Sequence, residues 1–112
     1  MKYKYHLRPG YKAQELLIDI FSGAENEDFF PDFFDSIAAI NPEVDTISDL
    51  WINDEYLLDV KSDIGSFSIS KDIWGFAFIM ADENQECIIR IDLLLSENKN
   101  FQKIEVDFEN YK

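Results

Sequence analysis

The chain has 112 residues, of which 46% are hydrophobic and 15% aromatic, a composition that is typical of one globular domain and excludes an intrinsically disordered chain. Its 23 carboxylates outnumber its 10 lysines and arginines, and the formal net charge of −13 disfavours binding to nucleic acid or to anionic membranes. The sequence contains no apolar run near the roughly 20 residues of a membrane span, no apolar segment typical of a secretion signal and one cysteine, so we expect a cytoplasmic protein.

The negative charge is concentrated in one stretch of the sequence. The stretch from Ala13 to Val60 contains no lysine or arginine and 13 of the carboxylates, whereas the rest of the chain holds the other 10 acids and all 10 bases. By formal count the rest of the chain is neutral. The stretch therefore carries the whole net charge and predicts a basic binding partner.

The first part of the chain predicts an N-terminal segment followed by two helices. Residues 1–8 alternate weakly, which fits either an edge strand or an arm closed by Pro9 and Gly10. Apolar residues at three- and four-residue intervals predict a first helix from about Tyr11 to Ser22. A second helix is predicted to begin at Asn26–Asp28 and to end before Pro42. Its predicted buried stripe consists of Phe30, Phe33, Phe34 and Ile37, with Phe29 as a core residue or, alternatively, an exposed interface anchor.

After Pro42 the period of the apolar residues changes from helical to alternating. Leu50 and Ile52 fit a short strand, whereas Thr46 fits the start of a one-turn helix, and the pattern does not separate the two. Further strands are predicted at Tyr56–Val60, Phe67–Ile69, Trp74–Met80, Glu86–Leu95 and Ile104–Phe108.

Two of these strands are predicted to be internal. Trp74–Met80 is apolar on both faces, which is typical of a central strand. Glu86–Leu95 has alternate apolar residues beginning at Cys87. Because the connections are short, we expect hairpins and no helical crossover. The predicted fold class is a single α+β domain over 1–112, with two N-terminal helices packed on an antiparallel meander sheet of four to five strands.

Few residues of the chain are suited to catalysis. The only histidine, His6, is expected at the surface and the only cysteine, Cys87, in the core, so no nucleophile and base are predicted to meet. Too few histidines and cysteines exist for a transition-metal site. Asp82–Asn84 begins like a calcium loop but lacks the glycine and closing glutamate at the required spacing. We therefore predict no catalytic residues, no metal ligands and no cofactor.

One constellation resembles the signature of metal-dependent nucleases. Pro31–Asp32 followed by Asp59–Lys61 matches a Pro-Asp and Asp-x-Lys pair, in which the acids hold Mg²⁺ and the lysine stabilises the transition state. Pro31 opens a predicted helix, whereas that signature needs its first acid beside a strand. The surrounding carboxylates would also repel a nucleic-acid backbone. The sequence therefore favours a protein that is not an enzyme.

The segments Gly75–Met80, Ile91–Leu95 and Asn100–Val106 are similar to the closing strands of bacterial immunity proteins of contact-dependent growth inhibition and other polymorphic toxin systems. Like this chain, such proteins are small, acidic, single-domain and poor in catalytic residues. The acidic aromatic segment Phe30–Ala38 is similar to barstar, but the antiparallel second half predicted here departs from the parallel sheet of barstar. The resemblance implies a cytoplasmic toxin inhibitor whose partner is a basic cognate protein, the toxin's C-terminal domain, often a nuclease with a basic cleft.

We therefore predict a toxin-neutralising immunity protein, expected to be monomeric, and the alternative is an acidic adaptor or other protein-binding module without a toxin partner. The predicted partner-binding residues surround the start of the second helix and the segment after it. Trp51 fits an aromatic anchor of the interface and a core position equally well. The predicted binding residues are Asp28, Asp32, Asp35, Asp49, Trp51, Asp54, Glu55 and Tyr56.

Overall fold

A computed structural model describes residues 2–10, 12–50 and 55–111, with the backbone alone for 49 and 50. The described residues form seven strands, two α-helices and two short 3-10 helices, at Ala38–Ile40 and Phe108–Tyr111. No helix in these ranges is long and apolar enough to cross a membrane. In chain order the main elements are β1 (Tyr3–Pro9), β2 (Leu16–Ser22), α1 (Phe29–Ser36), β3 (Glu43–Leu50), β4 (Glu55–Ser62), β5 (Gly65–Asp72), β6 (Ala77–Met80), α2 (Gln85–Ser96) and β7 (Phe101–Lys103).

The strands form one mixed sheet in the order β3-β4-β5-β6-β2-β1-β7. Strands β3 to β6 follow one another as an antiparallel meander, and β1 and β2 form an antiparallel hairpin. Only β7 is parallel to its neighbour, β1. The segment containing α1 connects β2 in the middle of the sheet to β3 at its edge, and α2 connects β6 to β7 at the other edge. A helical crossover, which the sequence was expected to exclude, therefore closes the sheet.

The predicted fold class is wrong, because the two helices are not both N-terminal and the sheet has seven strands rather than four or five. The predicted first helix, Tyr11 to Ser22, contains strand β2. Its short apolar run fits both helical and alternating periods. The position of Ile18 distinguishes the two periods. In a helix Ile18 would lie outside the apolar stripe, but in the structure it is fully buried beside Ile20. Leu17 and Phe21 point to the other side of the sheet, as expected for a strand.

The predicted strand Glu86–Leu95 is instead part of helix α2. Its buried residues, Cys87, Ile88, Ile91 and Leu95, follow helical spacing, whereas Ile89 and Leu93 are 49% and 48% exposed. Cys87 is a core residue as expected, but on a helix. The alternating pattern was misleading because apolar residues occupy both faces of this segment, and Ile88 on the supposed wet face is fully buried.

The predicted central strand Trp74–Met80 is shorter than expected, and its first residues form a turn. Strand β6 covers only Ala77–Met80, and Trp74 is 66% exposed. Gly75 has a left-handed φ of 95°, which suits a turn and is disfavoured in a strand. The predicted last strand is also wrong, because 104–107 has no regular structure and a 3-10 helix follows it.

The structure also decides between the alternatives in the first half of the chain. Strand β1 is neither an edge strand nor an arm, since it lies between β2 and β7. Glu43–Leu50 is a strand, so no one-turn helix begins at Thr46, and Leu50 lies in a strand while Ile52 lies outside the described residues. The second helix is shorter than predicted, and Phe29 is fully buried with Phe33, which excludes it as an exposed anchor.

The core lies between the two helices and one face of the sheet, which we call the helix face. Tyr3 and Tyr5 of β1 are fully buried there, and their hydroxyl groups reach the helices. Tyr3 Oη donates to Asp32 of α1 at 2.7 Å, and Tyr5 Oη donates to Asp92 of α2 at 3.0 Å. These bonds satisfy both buried hydroxyl groups and fix each helix on the sheet.

The opposite face of the sheet, which we call the open face, is covered by neither α-helix. Along β1 it is contacted by the C-terminal segment, where the Arg8 guanidinium lies 4.7 Å from the Tyr111 ring and His6 Nδ1 lies 2.8 Å from the carbonyl oxygen of Ile104. His6 also stacks on Phe21 at 4.2 Å, so it is half-buried rather than a plain surface residue. From β3 to β6 the open face is accessible.

Candidate protein-binding surface

The acids at the start of α1 have partners within the chain. Asp32 Oδ2 accepts hydrogen bonds from Tyr3 Oη at 2.7 Å and from Lys2 Nζ at 3.0 Å, and Lys2 Nζ also lies 3.8 Å from Asp28. The bond from Tyr3 and then the contact with Lys2 hold the pKa of Asp32 below its ordinary value. The bond to Asp32 correspondingly raises the pKa of Lys2. These two predicted binding residues thus attach α1 to β1, whereas Asp35 on the same helix is exposed.

Of the other five predicted binding residues, the structure describes the side chains of only two, Glu55 and Tyr56. Asp49 lies in β3, but only the backbone of this residue is described. Trp51 and Asp54 lie outside the described residues. Glu55 and Tyr56 are consecutive in β4 and therefore point to opposite faces of the sheet. Tyr56 is 40% exposed on the helix face, while the Glu55 carboxylate accepts a hydrogen bond from Ser70 on the open face.

The separation of acids from bases in the sequence is partly reversed by folding. Lys2, Arg8 and Lys61, which all lie outside the base-free stretch, each pair with acids inside it. The carboxylates paired in this way are Asp19, Asp28, Asp32 and Asp45. A contiguous run of charge in the sequence therefore does not produce one unneutralised surface.

A different acidic surface occurs on the open face, as a groove of 840 Å³ between β3 and the turn after β6. Four carboxylates, those of Asp45, Asp59, Asp82 and Glu83, line it together with one base, Lys61. Lys61 Nζ lies 3.6 Å from Asp45, so one of the four has a basic partner. We call this the acidic groove, and its remaining lining residues are Leu57, Val60, Ser66, Phe67, Ser68, Met80, Ala81 and Asn84.

The carboxylate on the floor of the acidic groove is held in a fixed orientation. Asp59 lies in β4 directly opposite Thr46 of β3 and Ser68 of β5. Thr46 Oγ1 donates to Asp59 Oδ2 at 2.9 Å, and Ser68 Oγ donates to Asp59 Oδ1 at 3.1 Å. Each carboxylate oxygen has a further lone pair for an incoming donor. Asp59 is exposed and can therefore accept hydrogen bonds from a lysine or arginine of another molecule.

The end wall of the acidic groove is fixed by the turn at 81–84. Asn84 Nδ2 donates to the carbonyl oxygen of Ile64 at 2.9 Å, which ties this turn to the turn between β4 and β5. Gly65 has a φ of 109°, and a Cβ there would collide with the Asn84 amide. Asp82 and Glu83 are therefore presented, exposed, from a restrained turn beside Asp59.

The acids of this groove are not among the predicted partner-binding residues. The sequence pattern places Asp59 in the nuclease-like constellation and Asp82 in a calcium-like turn. The alternation of β4 could have placed Asp59 on a wet face, but the proximity of the 81–84 turn depends on the sheet order. Among the described residues, no group of three or more His, Cys, Asp or Glu side chains is placed to hold a metal ion.

The two halves of the nuclease-like constellation lie on opposite faces of the sheet. Asp32 is on α1 and bonded to Tyr3 at the helix face, whereas Asp59 lies on the open face. The side chains that the signature would need at one site are thus separated by the sheet.

Cys87 is fully buried, and this burial raises the pKa of its thiol.

Comparison of the chain with protein-family models, with curated proteins and with solved structures finds no match. The functional interpretation therefore depends on the charge, the acidic groove and the exposed apolar residues of this chain.

Proposed function

We propose that this protein is a cytoplasmic immunity or inhibitor protein that binds a basic cognate toxin and neutralises it. The observation that carries the proposal is the acidic groove, where three carboxylates without a described basic partner, those of Asp59, Asp82 and Glu83, line an accessible face of the sheet. The groove is bounded by fixed elements, so little ordering is needed when a partner binds.

The chemistry of a nuclease cleft explains why such a groove inhibits. An enzyme that holds phosphates must present lysines and arginines in its active site, and carboxylates satisfy the same groups by charge-assisted hydrogen bonds. Carboxylates placed in that cleft exclude the nucleic acid from it. The net charge of −13 adds long-range attraction to a basic surface, which raises the association rate at low salt.

The predicted residues of α1 have a secondary part in this proposal. Asp28 and Asp32 are already paired with Lys2, so they contribute mainly to the long-range field. The exposed Asp35 is free to steer a partner but faces away from the acidic groove, on the helical side of the molecule. We therefore place direct contact at the groove and assign the α1 acids to attraction at a distance.

A cell that inherits a toxin gene without its inhibitor is killed, so the two genes must be inherited together. The resemblance to immunity proteins implies a neighbouring toxin gene, and we take the product of the reading frame immediately upstream as the toxin. Its induction in a heterologous host should stop growth, and co-expression of the present chain should restore it.

The test uses two variants with the same change of net charge. The groove variant is Asp59→Asn/Asp82→Asn/Glu83→Gln, and the control neutralises three exposed acids outside the groove, Glu15→Gln/Glu86→Gln/Glu97→Gln. We expect the groove variant to lose growth protection and to bind the upstream product at least 100-fold more weakly, because buried charge pairs of this kind are each worth about 2 kcal/mol or more and a 100-fold loss corresponds to about 2.8 kcal/mol. The control should remain within about 3-fold of the wild type.

The possible results separate the proposal from its competitors. Equal weakening of both variants would reduce the groove to a net-charge effect. Tight binding of the upstream product without restored growth would indicate an acidic adaptor. If the wild-type chain does not bind the upstream product, the proposed function is wrong.

A further inference from the structure

Three large apolar side chains are exposed together in the turn that connects β5 to β6. Ile73, Trp74 and Phe76 are 55%, 66% and 42% exposed, within a stretch of four residues. We call Ile73–Phe76 the hairpin tip. Single exposed apolar residues are ordinary on a protein surface, but a group that includes a tryptophan is typical of a binding site.

The hairpin tip is restrained rather than loose. Asp72 Oδ1 accepts hydrogen bonds from the backbone N–H groups of Trp74 at 2.9 Å and Phe76 at 3.1 Å. The backbone N–H of Asp72 also donates to the carbonyl oxygen of Phe76 at 3.1 Å, which closes the turn. Gly75, between the two exposed aromatic residues, is itself buried. The tip therefore holds its aromatic side chains outward before any partner arrives, which lowers the entropy cost of binding.

The charges beside the hairpin tip are mainly negative. A Cβ at Gly75 would collide with the Glu25 carboxylate, so Glu25 lies directly against the turn. Asp72 is within the turn, and Glu55 is its direct neighbour across β4 and β5. Lys71, the residue before Asp72, places its ammonium group 5.8 Å from the centre of the Phe30 ring.

We infer that the hairpin tip is an anchor that inserts into an apolar pocket of a partner protein, and that the pocket is bordered by lysine or arginine. The inference rests on the proposed function, since it makes the basic toxin the occupant of this surface. The apolar side chains supply buried area, and Glu25 and Asp72 match a basic rim.

The hairpin tip and the acidic groove can belong to one interface. The groove is lined by Ser66 and Ser68 near the start of β5, and the tip follows the end of the same strand. Trp74 lies six positions after Ser68, which corresponds to about 20 Å along an extended chain. A standard protein–protein interface of about 800 Å² per partner is wide enough to span both.

A lipid bilayer is the other surface into which exposed aromatic residues insert, but the charges disfavour it. Carboxylates at the tip would have to leave water or face anionic headgroups, and the protein as a whole carries a net charge of −13. A basic protein pocket removes this conflict, since it pairs the same carboxylates.

The test compares Trp74→Ala with Leu93→Ala, which removes a half-exposed leucine from α2. Both proteins are first shown to unfold at the urea midpoint of the wild type. We expect Trp74→Ala to weaken binding to the purified, catalytically inactivated upstream product by about 30-fold, as is usual for an aromatic anchor. Leu93→Ala should change it by less than about 2-fold.

A second measurement follows the tryptophan itself. The measurement uses Trp51→Phe, which leaves Trp74 as the one tryptophan. Iodide should quench the emission of this protein when it is free, and binding of the upstream product should protect it. Vesicles of phosphatidylcholine, with and without phosphatidylglycerol, should leave the emission unchanged.

Each result has a distinct meaning. If the wild type binds the upstream product and Trp74→Ala binds it equally well, the hairpin tip is not an anchor but the proposed function stands. If the wild type does not bind, the proposed function fails. A blue shift of Trp74 emission on vesicles would replace the protein pocket by a membrane.

Discussion

Asp32 accepts hydrogen bonds from one fully buried residue, Tyr3, and one exposed residue, Lys2. Both donors favour the ionised carboxylate, which is why its pKa lies below the ordinary 3.8. Burial, and after it the hydrogen bond to Asp32, raise the pKa of Tyr3. One ionised side chain thus connects α1 to β1 and gives the fold a dependence on pH.

Replacement of Asp32 by asparagine should destabilise the protein at neutral pH and less so in acid. A carboxylate whose folded pKa is lowered contributes stability above its unfolded pKa, about 3.8, and loses that contribution as the pH falls through the folded value. The difference in urea midpoint between wild type and Asp32→Asn should therefore be largest at pH 5–7 and shrink below about pH 4.

The control for this prediction is Asp35→Asn, which removes the same charge from an exposed position on the same helix. It corrects for the general effect of lowering the charge of an acidic protein. A midpoint difference for Asp32→Asn that stays constant from pH 7 to pH 3 would show that the ionised state of Asp32 is not what matters.

At the scale of elements, the β1–β2 hairpin contains a largely buried ion pair. Arg8 Nε lies 3.0 Å from Asp19 Oδ2, and the two side chains are 15% and 12% exposed. Among the described residues, Asp19 Oδ1 is buried without a hydrogen-bond partner. The Arg8 guanidinium also lies 5.8 Å from the Phe78 ring of β6. The pair therefore links three strands, but its desolvation cost is incompletely offset.

Breaking this pair should cost more than replacing it. Arg8→Met leaves a buried, unpaired carboxylate and should lower the free energy of unfolding by about 3 kcal/mol, whereas Arg8→Met/Asp19→Leu should recover most of the loss. Urea denaturation of the wild type, both single variants and the double variant gives the coupling energy. Purely additive effects would contradict a direct interaction between Arg8 and Asp19.

The apolar periodicity of the sequence predicts some strands correctly and assigns other segments to the wrong type of element. Alternation correctly placed strands at Tyr56–Val60 and Phe67–Ile69, because each has one face made entirely of apolar or aromatic residues and a polar or mixed opposite face. Leu16–Ser22 and Gln85–Ser96 were misassigned because apolar residues occur on both sides of the chain, so both periods fit. Tertiary packing decides such segments, and a single sequence does not reveal it.

The candidate site shows the same limit. The excess of acid could be read from the composition, and it remains the basis for expecting a basic partner. The location of the unpaired acids could not be read from the sequence, because Lys2, Arg8 and Lys61 form ion pairs with acids of the base-free stretch only when the chain folds. The acidic groove combines Asp59 with Asp82 and Glu83 from outside that stretch, and this combination requires the sheet order.

At the scale of the whole molecule, Cys87 reports on the integrity of the core. It is fully buried on the face of α2 that packs against the sheet, and burial raises the pKa of its thiol. Native protein should react with a thiol reagent about 1,000-fold more slowly than the urea-unfolded chain, because exposure needs α2 to separate from the sheet.

The control for this labelling is Lys99→Cys, which adds an exposed thiol and should react at once with one equivalent of reagent. Rapid labelling of Cys87 in the wild type, at a rate independent of urea, would mean that α2 opens without unfolding of the rest.

The position of β1 in the sheet determines when the fold can be completed during translation. Strand β1 pairs with β7. Tyr3 can therefore form its backbone pairing with Phe101 only after Phe101 has left the ribosome. The meander from β3 to β6 needs only local hairpins and can form earlier, but the strands at the other side of the sheet join the two ends of the chain. Until then the side of β1 that β7 will cover is a bare strand edge on a nascent polypeptide, where another chain can add. The complete sheet, and any binding surface that depends on it, therefore forms only after β7 has been translated.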